Sequence, residues 1–170
     1  MSERQRENLF ILSGPIDSGK TSALIQLVTQ LRNSGTTVGG ILTPKMYHNS
    51  EFIGYDIELI RQELRLPLAR LQPEPETFTL GRFYFFQSTF HSLLTELGTP
   101  LPSIFILDEI GPIELNGGGF APALPAVLNL PATVLLTIRE QCLTEAIAHF
   151  DLQAAEIIRD YEMLTSLLSA

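Results

Sequence analysis

Apolar positions recur in two rhythms along this chain, and the changes of rhythm mark its elements. Residues 8–13 (NLFILS) form a short apolar run fit for a buried strand. Residues 20–33 have the period of a helix, and Gly35 follows as its stop. Residues 36–43 (TTVGGILT) predict a second strand, in which Gly39 and Gly40 imply a bend or a close backbone approach. Residues 45–50 resemble a turn, and residues 51–59 (EFIGYDIEL) alternate like a returning strand, so a hairpin is expected.

Further along, residues 71–79 carry Pro73 and Pro75 and predict an exposed loop. Residues 82–86 (RFYFF) are strand-like, and residues 87–97 predict an amphipathic helix closed by Gly98 and Pro100. Residues 103–107 (SIFIL) are a fully apolar strand that ends in Asp108 and Glu109. Residues 116–125 (NGGGFAPALP) read as a loop without regular structure. Residues 133–138 (TVLLTI) predict a buried strand, 140–150 a helix, 153–158 a last strand, and a terminal helix starts at Asp160. Short buried strands alternating with helices predict an α/β fold: a mostly parallel sheet with helices on both faces, to which the hairpin is an antiparallel addition.

Composition narrows this further. At 170 residues the chain fits one domain, spanning residues 1–170, with a sizeable core. It is 45% hydrophobic, yet no segment has the length and purity of a membrane span. The opening MSERQREN is charged and leads straight into a strand, so no signal peptide is expected. Cys142 is the only cysteine, which excludes an intrachain disulfide and a thiolate metal cluster. Together these point to the cytoplasm. A net charge of −8 argues against a nucleic-acid surface, which demands clustered Lys and Arg.

The most specific chemistry lies between the first strand and the first helix. Gly14, Pro15, Ile16, Asp17, Ser18, Gly19, Lys20 and Thr21 spell G-x-x-x-x-G-K-T, a phosphate-binding loop (Walker A). A strand feeding a glycine-rich turn into a helix start aims several backbone N–H groups, and the positive end of the helix dipole, at one point. A nucleoside polyphosphate, above all a triphosphate, satisfies that geometry. Lys20 is expected on the β- and γ-phosphates and the Thr21 hydroxyl on Mg²⁺, with Ser22 one residue late for the same task. Asp17 is tolerable only if its carboxylate points outward.

Asp108 ends an apolar strand, where ligands bind in open α/β sheets, and can hold Mg²⁺ directly or through water. Glu109 beside it can orient a water that attacks the γ-phosphorus, or take its proton. Asp108-Glu109-Ile110-Gly111 also fits the D-x-x-G pattern of GTPases, but no Asn-Lys-x-Asp follows, so no base-selective pocket is read. Arg139 follows a strand expected beside that of Asp108 and is the candidate stabiliser of transition-state charge; a surface ion pair with Glu140 or Glu145 is the plainer alternative. Thr137 is a weaker candidate as a hydrogen-bonding sensor. Glu114 fits either a supporting or a solvent-facing role. His48, His91 and His149 show no metal spacing, and Phe83 to Phe86 read as core before stacking platform.

Taken together the pattern resembles the cancer-related nucleoside-triphosphatases of the thermophile (THEP) type. The matching pieces are residues 14–21, then Val38-Gly39-Gly40-Ile41-Leu42-Thr43-Pro44, Ile53-Gly54-Tyr55-Asp56-Ile57, Leu68-Ala69-Arg70, Gly81-Arg82-Phe83 and Leu107-Asp108-Glu109-Ile110-Gly111-Pro112-Ile113-Glu114. The resemblance spans about residues 8–140. It implies a three-layer, RecA-like P-loop NTPase fold and slow Mg²⁺-dependent hydrolysis of several nucleoside triphosphates. It also implies the roles read above: Lys20 and Thr21 on phosphate and Mg²⁺, Asp108 on the metal, Glu109 on water. Lys45 stands where that family usually carries an acidic residue, and Ile158-Arg159-Asp160 where it tends to show Asn-Arg-Asp.

Three functions fit these residues. The first is a nucleoside-triphosphatase yielding diphosphate and phosphate. The second is a nucleotide or small-molecule kinase, which needs an arginine-rich lid and an acceptor pocket; the few arginines are scattered, and residues 116–125 contain none. The third is a slow nucleotide-binding accessory module, whose acidic surface suits a basic protein partner.

Overall fold

A computed structural model describes residues 8–98, 100–161 and 164. Strand β1 (Leu9–Gly14) alternates its side chains between two cores: Leu9 and Ile11 enter one, Phe10 and Leu12 the other. Helix α1 (Lys20–Asn33) then lays Leu24, Leu27, Val28 and Leu31 into the second core, the i, i+3, i+4, i+7 set of one helix face. Each is at most 3% exposed, and burial of such a side chain is worth about 1.5–3 kcal/mol. The helix stops at Gly35, whose N–H meets Arg32 O at 3.0 Å while Thr36 N–H meets Leu31 O at 2.9 Å. That paired closure needs the left-handed φ of +81° that Gly35 adopts.

The central strands are β2 (Val38–Leu42), β8 (Ile104–Ile110), β9 (Thr133–Arg139) and β10 (Glu156–Ile158), each parallel to its neighbour in the order β10-β1-β9-β8-β2. On the face opposite α1 lie α2 (Gln87–His91), α3 (Leu93–Glu96), α5 (Leu124–Leu128) and α6 (Leu143–His149), through Phe90, Leu93, Leu124, Val127, Leu143 and Ala146. The expected parallel sheet with packed helices is thus observed in the five-stranded core, but over the described sheet as a whole five strand pairings are antiparallel against four parallel, so it is not mostly parallel. A short α4 (Pro112–Leu115) follows β8.

The antiparallel addition is larger than a hairpin. Beyond β2 the sheet continues through β4 (Glu51–Leu59), β5 (Leu64–Arg70), β7 (Phe83–Phe86) and β6 (Thr77–Leu80), and β3 (Lys45–His48) pairs with β4. Residues 45–48, expected as a turn, are therefore a strand; the turn is confined to Asn49 and Ser50, at φ +48° and +68°. Likewise the loop expected at residues 71–79 becomes strand from Thr77. Both strands are short and mostly solvent-facing, so they lack the apolar alternation that would announce them.

Three other expectations change in detail. The helix predicted over 87–97 is broken at Ser92, whose hydroxyl bonds Thr89 O at 2.5 Å and competes with the helical ladder. The supposed loop at 116–125 holds a 3₁₀ turn, Ala121–Ala123, and the start of α5, because Pro122 and Pro125 sit at helix N-terminal positions that tolerate them. The helix predicted over 140–150 begins as a 3₁₀ turn, Glu140–Cys142. The terminal helix expected from Asp160 lies almost wholly outside the described residues.

Gly40 explains the close approach read from the glycine pair. Its φ is +105°, and a β-carbon there would lie 1.9 Å from Ile106 O on β8. Its N–H is taken by the fully buried Glu96 at 3.0 Å, which also accepts Arg61 N–H at 3.1 Å and so ties α3 to the sheet.

Candidate active site

The loop between β1 and α1 is held in shape by its own lysine. Lys20 is 6% exposed and its ammonium donates to Gly14 O at 3.0 Å and Pro15 O at 2.7 Å. Ser18 hydrogen-bonds the Tyr161 hydroxyl, which also lies 2.6 Å from where a Gly14 β-carbon would stand. Nothing in the sequence reading pointed to Tyr161, which reaches the loop from 143 residues away.

Asp108 stands across from the loop and is fully buried. It accepts four hydrogen bonds: Thr21 Oγ1 at 2.9 Å, Thr43 N at 3.0 Å and Thr43 Oγ1 at 2.9 Å on Oδ2, and Thr137 Oγ1 at 2.7 Å on Oδ1. A carboxylate has about four lone-pair sites, so this one is satisfied. Thr43 belongs to the G-G-x-x-T-P run, but its role emerges only when β2 is laid beside β8.

Between Leu107 and Ile110 the β8 register against β9 slips. The irregularity puts Glu109 at φ +73°, an uncommon backbone for a side-chain-bearing residue, and its N–H donates to Thr137 Oγ1 at 2.6 Å. Thr137 therefore serves both acids, giving its proton to Asp108 and taking that of the Glu109 amide. The re-aimed Glu109 carboxylate is ion-paired with Arg139 Nε. Arg139 ends β9 in register with Gly14 of the phosphate loop, so β9, between β1 and β8, delivers it there. Burial opposes its charge, but Glu109 outweighs that and holds the guanidinium above its usual range. Neither Glu140 nor Glu145 is its partner.

Asp17 is exposed at the rim of the cleft, at φ +62°, and bridges to Lys45 at 2.6 Å. The hydrogen bond from Lys45 lowers the Asp17 carboxyl below its ordinary value and raises the ammonium in return. Ile16, Ser18, Gly19, Ser22, Lys45, Glu109 and Arg139 line one cleft of about 900 Å³ together with Lys20 and Thr21. Glu114 turns inward rather than to solvent: it is 4% exposed and accepts Gly111 N–H at 3.0 Å and Phe120 N–H at 3.2 Å. Burial pushes its carboxyl above the ordinary value despite those amides. Among the described residues, no three of His, Cys, Asp and Glu are grouped to hold a metal, so any cation here must be completed by hydroxyl, phosphate or water oxygens. No helix among them is long and apolar enough to cross a membrane.

Known proteins share this framework. The chain is 30% identical over 136 residues to the cancer-related nucleoside-triphosphatase homolog of Bos taurus, covering 74% of this chain and 71% of that one. It is 23% identical over 151 residues to nucleoside-triphosphatase THEP1 of Methanopyrus kandleri, covering 88% and 83%. In fold it is similar to the solution structure of a human cancer-related nucleoside triphosphatase, with a TM-score of 0.73 at 24% identity over 95% of this chain and 94% of that one. The crystal structure of THEP1 from Aquifex aeolicus gives 0.70 at 19% identity, with 94% of each chain covered. The family model described as NTPase matches residues 9–160, from the strand before the phosphate loop to the end of the sheet, and the chain belongs to that family.

Proposed function

We propose that this protein hydrolyses nucleoside triphosphates to the diphosphate and phosphate with Mg²⁺, in the cytoplasm and with little preference for the base. The observation that carries the reading is the 2.9 Å hydrogen bond from Thr21 of the phosphate loop to Asp108, which puts the acid pair and the loop on one site. Names of relatives such as nucleoside-triphosphatase THEP1 support it.

The residues present fit Mg²⁺. Thr21 gives its single hydroxyl proton to Asp108, so its oxygen lone pairs are left for a hard cation. Asp108, buried and fully bonded, would support the ion by holding the Thr21 hydroxyl in place. When bound there, Mg²⁺ would supply positive charge that offsets the negative charge developing on the phosphate oxygens. Lys20, already folded over the loop, turns from two carbonyls to the terminal phosphates. Glu109 orients the attacking water and accepts its proton once Arg139 leaves it for the γ-phosphate, where the guanidinium offsets transition-state charge.

Phosphate release from ATP, GTP, CTP and UTP, with Mg²⁺ and with a chelator, tests this. Similar turnover of all four is expected, lost on chelation, with Glu109→Gln slower by about 10²–10⁴-fold and still able to bind triphosphate. Lys20→Ala is expected to lose triphosphate affinity. Wild-type turnover in Glu109→Gln would sink the assignment, and triphosphate binding with negligible wild-type turnover would point instead to a nucleotide-operated accessory module.

A further inference from the structure

Strand β4 is built irregularly around Tyr55. Its pairing with β5 slips between Tyr55 and Asp56, and such irregularities beside active sites re-aim a side chain. On one side Gly54 takes φ +149° and lets the strands approach closely, since a β-carbon there would lie 2.0 Å from Ala69 O. On the other side the buried Asp56 is ion-paired at 2.7 Å with Arg70, whose guanidinium also donates to Tyr55 O at 2.8 Å. Residues 43 and 44 tie this place to the acid pair. Thr43 bonds Asp108 through its amide and its hydroxyl, and Pro44 accepts the Asp56 N–H at 3.1 Å. Tyr55 lines the cleft together with Glu109, Arg139 and the phosphate loop, and the charges of Lys45, Asp17, Glu109 and Arg139 all act on its hydroxyl.

The ring and the hydroxyl of Tyr55 have separate explanations. Phe52 meets the ring edge-on at 5.2 Å and Phe83 lies tilted against it at 5.5 Å, contacts that a phenylalanine would make equally well. The side chain is half-buried, and burial holds the phenol above its ordinary value, so it keeps its proton. Among the described residues this hydroxyl nevertheless has no hydrogen-bond partner, although a tyrosine taken out of water ordinarily finds one. The neighbouring carboxylates do not claim it: Asp17 is held by Lys45 and Glu109 by Arg139. A neutral donor lacking an acceptor, on the wall of a cleft shaped for phosphates, is placed for an oxygen that arrives with the substrate.

We infer that Tyr55 is a further catalytic residue, whose hydroxyl donates a hydrogen bond to a γ-phosphate oxygen and shares with Arg139 the charge that develops there in the transition state. The tyrosine keeps its proton throughout. The bonds made and broken are therefore those of hydrolysis, and Glu109 remains the acceptor of the water's proton. The inference rests on the hydrolase reading and adds to it a donor from the antiparallel half of the sheet.

Tyr55→Phe in the full chain is the test, because the ring contacts survive and only the hydroxyl goes. Phosphate release from Mg²⁺-ATP is measured beside the thermal midpoint and the affinity for Mg²⁺-ADP, with and without aluminium fluoride as a mimic of the phosphoryl group in transit. A donor used in the transition state is expected to be worth about 10-fold or more in kcat, with KM changed less than about twofold. The aluminium fluoride complex should weaken by a similar factor, while ADP affinity and melting stay as in wild type. Unchanged kcat, or a raised KM alone, overturns the assignment. So does a slower variant whose aluminium fluoride complex is as tight as that of wild type. No phosphate release by the wild-type chain overturns the hydrolase reading as well, whereas wild-type turnover with an indifferent variant overturns Tyr55 alone.

Discussion

Thr137 donates its hydroxyl proton to Asp108 Oδ1 across 2.7 Å, and both residues are fully buried. The same oxygen accepts the Glu109 N–H at 2.6 Å, so one side chain sets the position of the Asp108 carboxylate and the backbone of Glu109. Replacing Thr137 with Val keeps the shape but strips both groups of a partner. A buried polar group left unpaired costs about 1–3 kcal/mol. Thr137→Val is expected to melt earlier and to lose about 10–10²-fold in kcat with little change in KM, while Thr137→Ser recovers most of the rate. Unchanged kcat in the Val variant would remove Thr137 from the catalytic arrangement.

Glu109 and Arg139 are bonded to each other, so their substitutions should not add. Arg139→Ala is expected to slow phosphate release about 10²-fold. The double variant with Glu109→Gln should be far less impaired than the product of the two single losses, because each single change already disables the shared step. Steady-state kinetics of the four proteins measure this directly; multiplicative losses would mean that the two act independently.

Glu114 anchors the turn after β8 by accepting the Gly111 and Phe120 amides. Glu114→Ala deprives both of an acceptor and is expected to cost about 2 kcal/mol in urea unfolding. A carboxyl whose value is raised on folding binds its proton more tightly in the native state. Its stabilisation is therefore fully present below the ordinary carboxylate value and is lost as pH rises through the raised one. Wild-type stability relative to Glu114→Gln should fall as pH increases over that window, and a rise would contradict the burial account.

Two glycines separate strain from collision. A β-carbon at Gly35 meets nothing within 4 Å, so Gly35→Ala faces only the left-handed φ and should cost about 1 kcal/mol. At Gly40 a β-carbon would lie 1.9 Å from Ile106 O, and Gly40→Ala should cost more than about 3 kcal/mol or prevent folding. Thermal melts of the two variants make the comparison.

What could be read along the chain was what depends on near neighbours. The runs at residues 9–12, 104–107 and 134–136 are buried on both faces and so carry an uninterrupted apolar signal. The β3 and β6 strands, short and largely solvated, carry none. In the site, the loop and the acid pair were legible because each is contiguous. Thr43 and Tyr161 were not, since each acquires its contact from an element distant in sequence.

By itself the sequence determined that a glycine-rich turn joins a strand to a helix, and that two adjacent acids close a buried strand, because spacing along a single element sets those geometries. Only the tertiary structure decided which residues face that turn. Placing β9 between β1 and β8 sets Thr137 against Asp108 and Arg139 against Glu109, and pairing β4 with β2 brings Tyr55 to the same cleft. Strand order is settled by how whole faces bury against one another, and no local pattern of residues encodes that choice.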